Sequence, residues 1–166
     1  ACIINSILSL HRNNKIIPVE SLSAISNCGI IYSNCLYKDI KLSLCDMSNC
    51  LSSSNQLFLN YINESSRTHH GIIFVIDSSD RRKFEKSYLL LQTILQQEKL
   101  LDIPIVILAN KNDNIHSCQV KDLSSALNLH NIRDRQWTVI SSSIKTGDGI
   151  SEGVDFLYNH MIEVIH

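Results

Sequence analysis

Ile103-Pro104-Ile105-Val106-Ile107-Leu108-Ala109, followed at once by Asn110-Lys111-Asn112-Asp113, is the stretch on which the reading of this chain turns. An apolar run of this kind, closed by polar residues, reads as a strand buried in a parallel sheet. Two further runs behave the same way: Ile72-Ile73-Phe74-Val75-Ile76 and Trp137-Thr138-Val139-Ile140, each followed by polar residues where a ligand-side loop would lie. Helical patterns stand between and after them. Phe84, Tyr88, Leu91 and Leu95 repeat at helical spacing behind Ser78-Ser79-Asp80, which offers capping residues. Val120, Leu123 and Leu127 predict a shorter helix, and Val154, Leu157, Met161 and Ile165 give a last helix its apolar face. Strand and helix in alternation predict an α/β fold with a doubly wound, mostly parallel sheet.

The first third is patterned differently. Ile40, Leu42 and Leu44 alternate with Lys41 and Ser43, as in a half-buried strand. The run Cys28 to Tyr32 is expected to pair with it through Ser33-Asn34 as an antiparallel edge hairpin. Residues Ala1 to Ser9 carry helical apolar content, and the Ser- and Asn-rich stretch from Cys50 to Ser66 predicts an irregular loop around a short helix near Leu57 to Ile62. The length of 166 residues suits a single domain spanning the chain. Hydrophobic residues at 44% and charged residues at 19% fit a globular fold. A net charge of −1 supplies no global field toward nucleic acid or anionic lipid, and nucleic acid is not expected as a partner. The six cysteines (Cys2, Cys28, Cys35, Cys45, Cys50 and Cys118) form no Cys-x-x-Cys and read as reduced thiols of a cytosolic protein. No apolar run approaches the roughly 18 residues of a membrane span, and no signal peptide is visible.

Several blocks resemble the Arf-like branch of the small GTPases. Gly71 to Arg81 is similar to that branch's fourth strand and the turn after it, and Ile103 to Asp113 to its fifth strand and guanine-recognition loop. Leu129 to Trp137 resembles the connection into its last strand, and Gly147 to Leu157 the start of its final helix. The resemblance implies a small G-protein fold, a guanine-nucleotide switch in membrane trafficking, and GTP or GDP with Mg²⁺ as cofactors. It gives Asn110, Lys111 and Asp113 the guanine loop. The Asp113 carboxylate would accept from guanine N1–H and the exocyclic amine, a pair that adenine does not offer; Asn110 would tie the loop together and the Lys111 stem lie over the base. Ser142, Ser143 and Ile144 fall in the second guanine loop, whose backbone N–H meets the base oxygen in the family. Asp46 matches the acidic residue that holds Mg²⁺, usually through water. Asp46-Met47-Ser48 and Ile76 to Asp80 look most like the ciliary part of the branch, which implies trafficking effector or coat proteins such as the BBSome as partners, and a cytoplasmic protein peripheral on membranes, including the ciliary one. The family reaches membranes through an amphipathic N-terminal helix, a segment not recognised in this sequence.

Other parts depart from the family pattern. A P-loop, Gly-x-x-x-x-Gly-Lys-[Ser/Thr], wraps backbone N–H groups around phosphates, and this sequence contains none. Aligning Ile3-Ile4-Asn5 with the family's first helix puts Ala1 where the Mg²⁺-ligating hydroxyl belongs. The expectation is a chain truncated before or within the P-loop and lacking the fold's first strand, which runs mid-sheet between the third and fourth. Each buried backbone group left unpaired there would cost about 1–3 kcal/mol, so upstream residues or a rearranged sheet are expected. Pro18-Val19 stands where the family has Pro-Thr, and Val19 has no hydroxyl for Mg²⁺ and the γ-phosphate. Asp46-Met47-Ser48-Asn49-Cys50 stands for Asp-x-x-Gly-Gln, so Cys50 replaces the Gln that positions the attacking water. The alternative to a working switch is thus a pseudo-GTPase, an interaction module that no longer binds or hydrolyses GTP. Other chemistries read less well. Asp77 and Asp80 as paired carboxylates compete with a strand-end turn and helix cap, and Cys118 beside His116 as a nucleophile competes with a polar loop.

Overall fold

The computed structural model describes residues 30–38, 40–47, 55–64 and 69–165. The expected N-terminal helix, Pro18-Val19, and Ser48-Asn49-Cys50 lie outside the described residues. The chain divides into two compact units, Ala1–Ser66 and Arg67–His166.

In the first unit, β1 (Ile31–Tyr37) and β2 (Ile40–Asp46) form an antiparallel two-stranded sheet in the register Tyr32↔Cys45, Asn34↔Ser43, Tyr37↔Ile40. The hairpin was expected; its turn is elsewhere. Ser33 and Asn34 lie within β1, and the chain reverses between Tyr37 and Ile40, where Lys38 takes a left-handed φ of 53°. The reason is alternation: Ser33, Cys35 and Tyr37 are all buried, so the period-two pattern runs straight through Ser33. Ser43 Oγ donates to Asn34 Oδ1 across the pair at 2.8 Å. Helix α1 (Asn55–Glu64) buries Phe58 and Ile62, four residues apart on one face. Its Tyr61 hydroxyl accepts from Tyr32 at 3.0 Å and from the Cys45 thiol at 3.6 Å, two side chains that are register neighbours. Burial, then those two partners, push the Tyr61 phenol well above its ordinary range.

The second unit is built on β3 (Ile72–Asp77), β4 (Ile105–Asn110) and β5 (Trp137–Ser141), all parallel, in the order β3-β4-β5. All six residues of β4 are buried, with Ile105 to Ala109 each at most 1% exposed. Successive strand residues face opposite sides, so both faces of the central strand are covered. Helix α2 (Phe84–Leu95) follows β3, α3 (Val120–Ala126) follows β4, and α4 (Ile150–Ile165) follows β5. Two right-handed crossovers in the same direction put α2 and α3 on one face, and these helices touch. Helix α4 occupies the Val106/Leu108 face: a Cβ on Gly153 would stand 3.0 Å from Leu108 Cδ2 and 3.5 Å from Val106 Cγ2. The parallel α/β architecture and the antiparallel pair agree with the expected small G-protein fold.

Two local expectations change. Ser78-Ser79-Asp80 does not cap α2, because a short 3-10 turn, Arg81–Lys83, intervenes and no side chain caps either segment. The Asp80 carboxylate instead accepts from Arg82 at 2.9 Å and lies 3.3 Å from Lys83. Within α2, Ile94 rather than Leu95 reaches the core beside Phe84 and Leu91. Arg135, its side chain fully enclosed, donates to the Leu95 carbonyl at 3.1 Å and the Leu100 carbonyl at 2.7 Å. A guanidinium on carbonyls left over at a helix C-terminus satisfies both partners.

Gly149 closes the loop from β5 into α4 at φ +72°, where an added Cβ would lie 2.1 Å from the Ser141 carbonyl oxygen. Gly147, at φ +89°, has nothing within 4 Å of that position. Gly149→Ala combines left-handed strain with a backbone clash and should cost more than about 2 kcal/mol, while Gly147→Ala carries the strain alone. Urea unfolding of both variants checks this; equal midpoints for the two would refute the packing argument.

Candidate functional site

The site forms at the C-terminal edge of the parallel sheet, where ligands bind in open α/β folds. Strands β3 and β4 end together, with Asp77 opposite Asn110. Asn110, 8% exposed, ties three segments to this edge. Its carbonyl accepts from the Ser78 N–H at 2.9 Å and from Ser78 Oγ at 2.8 Å. Its side-chain Oδ1 accepts the Ile144 N–H at 3.1 Å. Ser78, buried, in turn accepts the Cys118 N–H on its own carbonyl at 2.9 Å. The loop-tying role expected of Asn110 is thus visible atom by atom.

The loop after β5 is laid against the loop after β4. Ser142 N–H donates to the Ala109 carbonyl at 2.9 Å, and Asn112 N–H donates to the Ser142 carbonyl at 3.0 Å. Ser143, fully buried, organises its own turn: Oγ accepts from the N–H groups of Lys145 at 3.2 Å and Thr146 at 3.3 Å. The same hydroxyl donates to Asp113 Oδ1 at 2.7 Å. Ser142 Oγ is buried and has no hydrogen-bond partner among the described residues.

Asp113 is exposed beyond its bond to Ser143, with the Lys145 ammonium 3.8 Å from Oδ2. The Ser143 hydroxyl chiefly, against a smaller opposing effect of burial, holds its carboxyl below the usual carboxylate value. It therefore stands ionised near neutrality, with lone pairs open to solvent, and can accept two parallel N–H donors from a planar base. Lys111 follows Asn110 at φ 68°, and Asn114 N–H donates to its carbonyl at 2.9 Å, closing a tight turn. The Lys111 ammonium lies 2.6 Å from Asp77 Oδ2. The other Asp77 oxygen accepts the Ser79 N–H at 3.0 Å and Ser79 Oγ at 2.6 Å. Burial alone would raise the Asp77 carboxyl, but the bonds from Lys111 and Ser79 outweigh it and its pKa lies below the ordinary value.

Asn110, Lys111, Asp113, Ser142, Ser143 and Ile144 are therefore brought together as the sequence suggested. Ile144 differs in detail, since its N–H is engaged by the Asn110 side chain. The sequence offers Asp77 only as an acid paired with Asp80 and Ser78 only as a cap, although equal ends of two parallel strands would have placed Asp77 beside Lys111. Asp77 and Asp80 do not pair as two acids; each faces its own cations. Cys118 is buried, and burial chiefly raises its thiol pKa, the wrong direction for a nucleophile. Asp46 ends β2 in the first unit. Among the described residues no three His, Cys, Asp or Glu side chains are grouped to hold a metal ion. No helix among the described residues is long and apolar enough to cross a membrane.

The arrangement agrees with what similarity to known proteins indicates. A sequence profile described as the ADP-ribosylation factor family matches residues 18–161. ADP-ribosylation factor-like protein 1 of Saccharomyces cerevisiae is 32% identical over 121 residues, 73% of this chain and 63% of that protein. ADP-ribosylation factor D of Dictyostelium discoideum is 32% identical over 149 residues, 90% of this chain and 67% of that protein. ADP-ribosylation factor-like protein 3 of Chlamydomonas reinhardtii is 34% identical over 98 residues, 59% of this chain and 53% of that protein. The chain thus spans between about half and two thirds of the length of these relatives.

Carboxylates of the second unit fix an acid limb of stability. Asp77, Asp113 and Asp134 lie below the ordinary carboxylate value of 3.8, and the Arg82 hydrogen bond brings Asp80 down to about 2. Folded values below unfolded ones mean stability fully present above the unfolded pKa and lost as pH falls through the folded values. Urea midpoints should hold from neutrality to about pH 4 and then fall toward pH 2. In Asp77→Asn that fall should be shallower; an acid limb unchanged by the substitution would remove Asp77 from it.

Proposed function

The chain belongs to the ADP-ribosylation factor family, and from that premise we propose that it binds guanine nucleotides as the switch domain of a small GTPase in membrane trafficking. One observation carries the proposal. An ionised carboxylate, Asp113, is oriented by the Ser143 hydroxyl at the end of the fully buried strand β4, with acceptor capacity left over. Guanine presents N1–H and its 2-amino group side by side, which match one carboxylate; adenine presents no such pair of donors. In this reading the Lys111 stem would lie over a face of the base, and Asn110 ties the loop after β5 to the sheet edge. The same reading takes residues 1–166 as a single domain and, by family resemblance alone, gives Asp46 the acidic role toward Mg²⁺.

The finer placement rests on short resemblances. Asp46-Met47-Ser48 and Ile76 to Asp80 favour ciliary traffic, with effector or coat proteins such as the BBSome as partners and a peripheral position on membranes. Binding and turnover are separable. Val19, Asn49 and Cys50 stand where the family uses Thr, Gly and Gln, so we propose that hydrolysis by this chain is slow.

Fluorescent GDP and GTP, titrated with Mg²⁺ and excess ATP, test the reading. Binding that resists ATP is the expected result, and displacement by ATP at similar concentration would overturn it. Asp113→Asn exchanges an acceptor for a donor and should weaken GDP about 10- to 100-fold, the loss of a charged hydrogen-bond pair. The same variant should gain affinity for xanthosine diphosphate, whose C2 carbonyl accepts from the amide. A folded protein that binds no nucleotide would leave the pseudo-GTPase reading in its place.

A further inference from the structure

The Lys111–Asp77 pair has a geometry that a surface ion pair does not need. The Asp77 carboxylate is held from two sides, Oδ1 by the Ser79 N–H and hydroxyl and Oδ2 by the Lys111 ammonium at 2.6 Å. It sits on the neighbouring strand, level with Asn110, so it draws the Lys111 side chain back across the sheet edge. Two other carboxylates are within electrostatic reach of the same ammonium, Asp80 and Asp113. Asp80 is already engaged by Arg82 and Lys83. Asp113 is less shielded: among the described residues its side chain has Ser143 at 2.7 Å and Lys145 at 3.8 Å. A Lys111 released from Asp77 therefore has one good destination: the carboxylate that must stay open for the base.

We propose that Asp77 is a positioning residue for nucleotide selection, holding the Lys111 ammonium off Asp113 so that both Asp113 oxygens remain available to guanine. The inference rests on the guanine-binding reading, and it also makes a claim about the ligand-free protein. In Asp77→Asn the ammonium moves to Asp113. The positive charge favours the ionised form of Asp113 and competes with the 2-amino donor of the base. Guanine then loses more than hypoxanthine, which has no 2-amino group. A role for Asp77 in fold stability alone would weaken GDP and IDP by the same factor.

The test has two arms, both on the full chain. The first follows the Asp113 side-chain carboxyl by NMR through an acid titration without nucleotide. Asp77→Asn should lower its midpoint, Asp77→Glu should restore it, and Asp77→Asn added to Lys111→Met should leave it where Lys111→Met alone puts it. An Asp113 midpoint unmoved by Asp77→Asn would overturn the inference whether or not nucleotide binds. The second arm compares GDP with IDP. The ratio of their affinities should fall about threefold in Asp77→Asn, in line with one exposed ion pair, and should not change in the Lys111→Met background. An unchanged ratio with GDP still bound also overturns the inference, whereas unaltered protein that binds neither nucleotide refutes the guanine reading and leaves the NMR result to decide the role of Asp77.

Discussion

Asn110 is the constraint from which the site of this protein follows. It is the last residue of a strand buried on both faces, paired with Asp77 of β3 and directly following Ala109, which pairs with Ser141 of β5, so its backbone is held in place. From that fixed point its carbonyl holds Ser78 and its side chain holds Ile144. Three chain segments, 32 to 34 residues apart along the sequence, are thus set at one place. An asparagine suits the task because its amide remains uncharged when buried and can still accept strongly. Aspartate in its place would put a charge at a position that is nearly sealed from water.

Around this point the polar groups sort by how much water they meet. Ser78, Ser142 and Ser143 are enclosed and do positional work through hydroxyls and backbone. Lys111, Asp113 and Lys145 are exposed and carry the charge. Asp77 lies between the two groups, partly enclosed, with one side tied to backbone and the other to a cation. Neutral groups build the frame and charged groups face solvent, which keeps the desolvation of ions small.

Much of this organisation is legible in the residues themselves. The runs Ile72–Ile76, Ile103–Ala109 and Trp137–Ile140 became the three strands with boundaries moved by a residue or two, because continuous apolar burial leaves few alternatives. The turn that carries Asn110, Lys111 and Asp113 could be read because spacing within a turn is local. What was not legible depends on placement between segments. The hairpin turn fell at Lys38 rather than Ser33-Asn34, since polar Ser33 is buried on the same face as Cys35 and Tyr37 and only the fold reveals that. Ser78-Ser79-Asp80 looked like a helix cap, yet Asp80 found Arg82 and Lys83 one turn early. Asp77 gained its partner from the residue that follows the neighbouring strand, which a linear pattern does not show.

The complete enclosure of β4 has a consequence for how this protein moves. Amide hydrogens of a central strand, shielded on both faces and bonded to neighbours on both edges, exchange with solvent mainly when the whole sheet opens. The loop that begins one residue later has no such shield. A boundary between the slowest and some of the faster amides therefore runs between Asn110 and Asp113, so side chains such as Lys111 can change partners on the surface while the strand that carries them keeps its hydrogen bonds. Ion pairs at this edge can then rearrange without a step of partial unfolding.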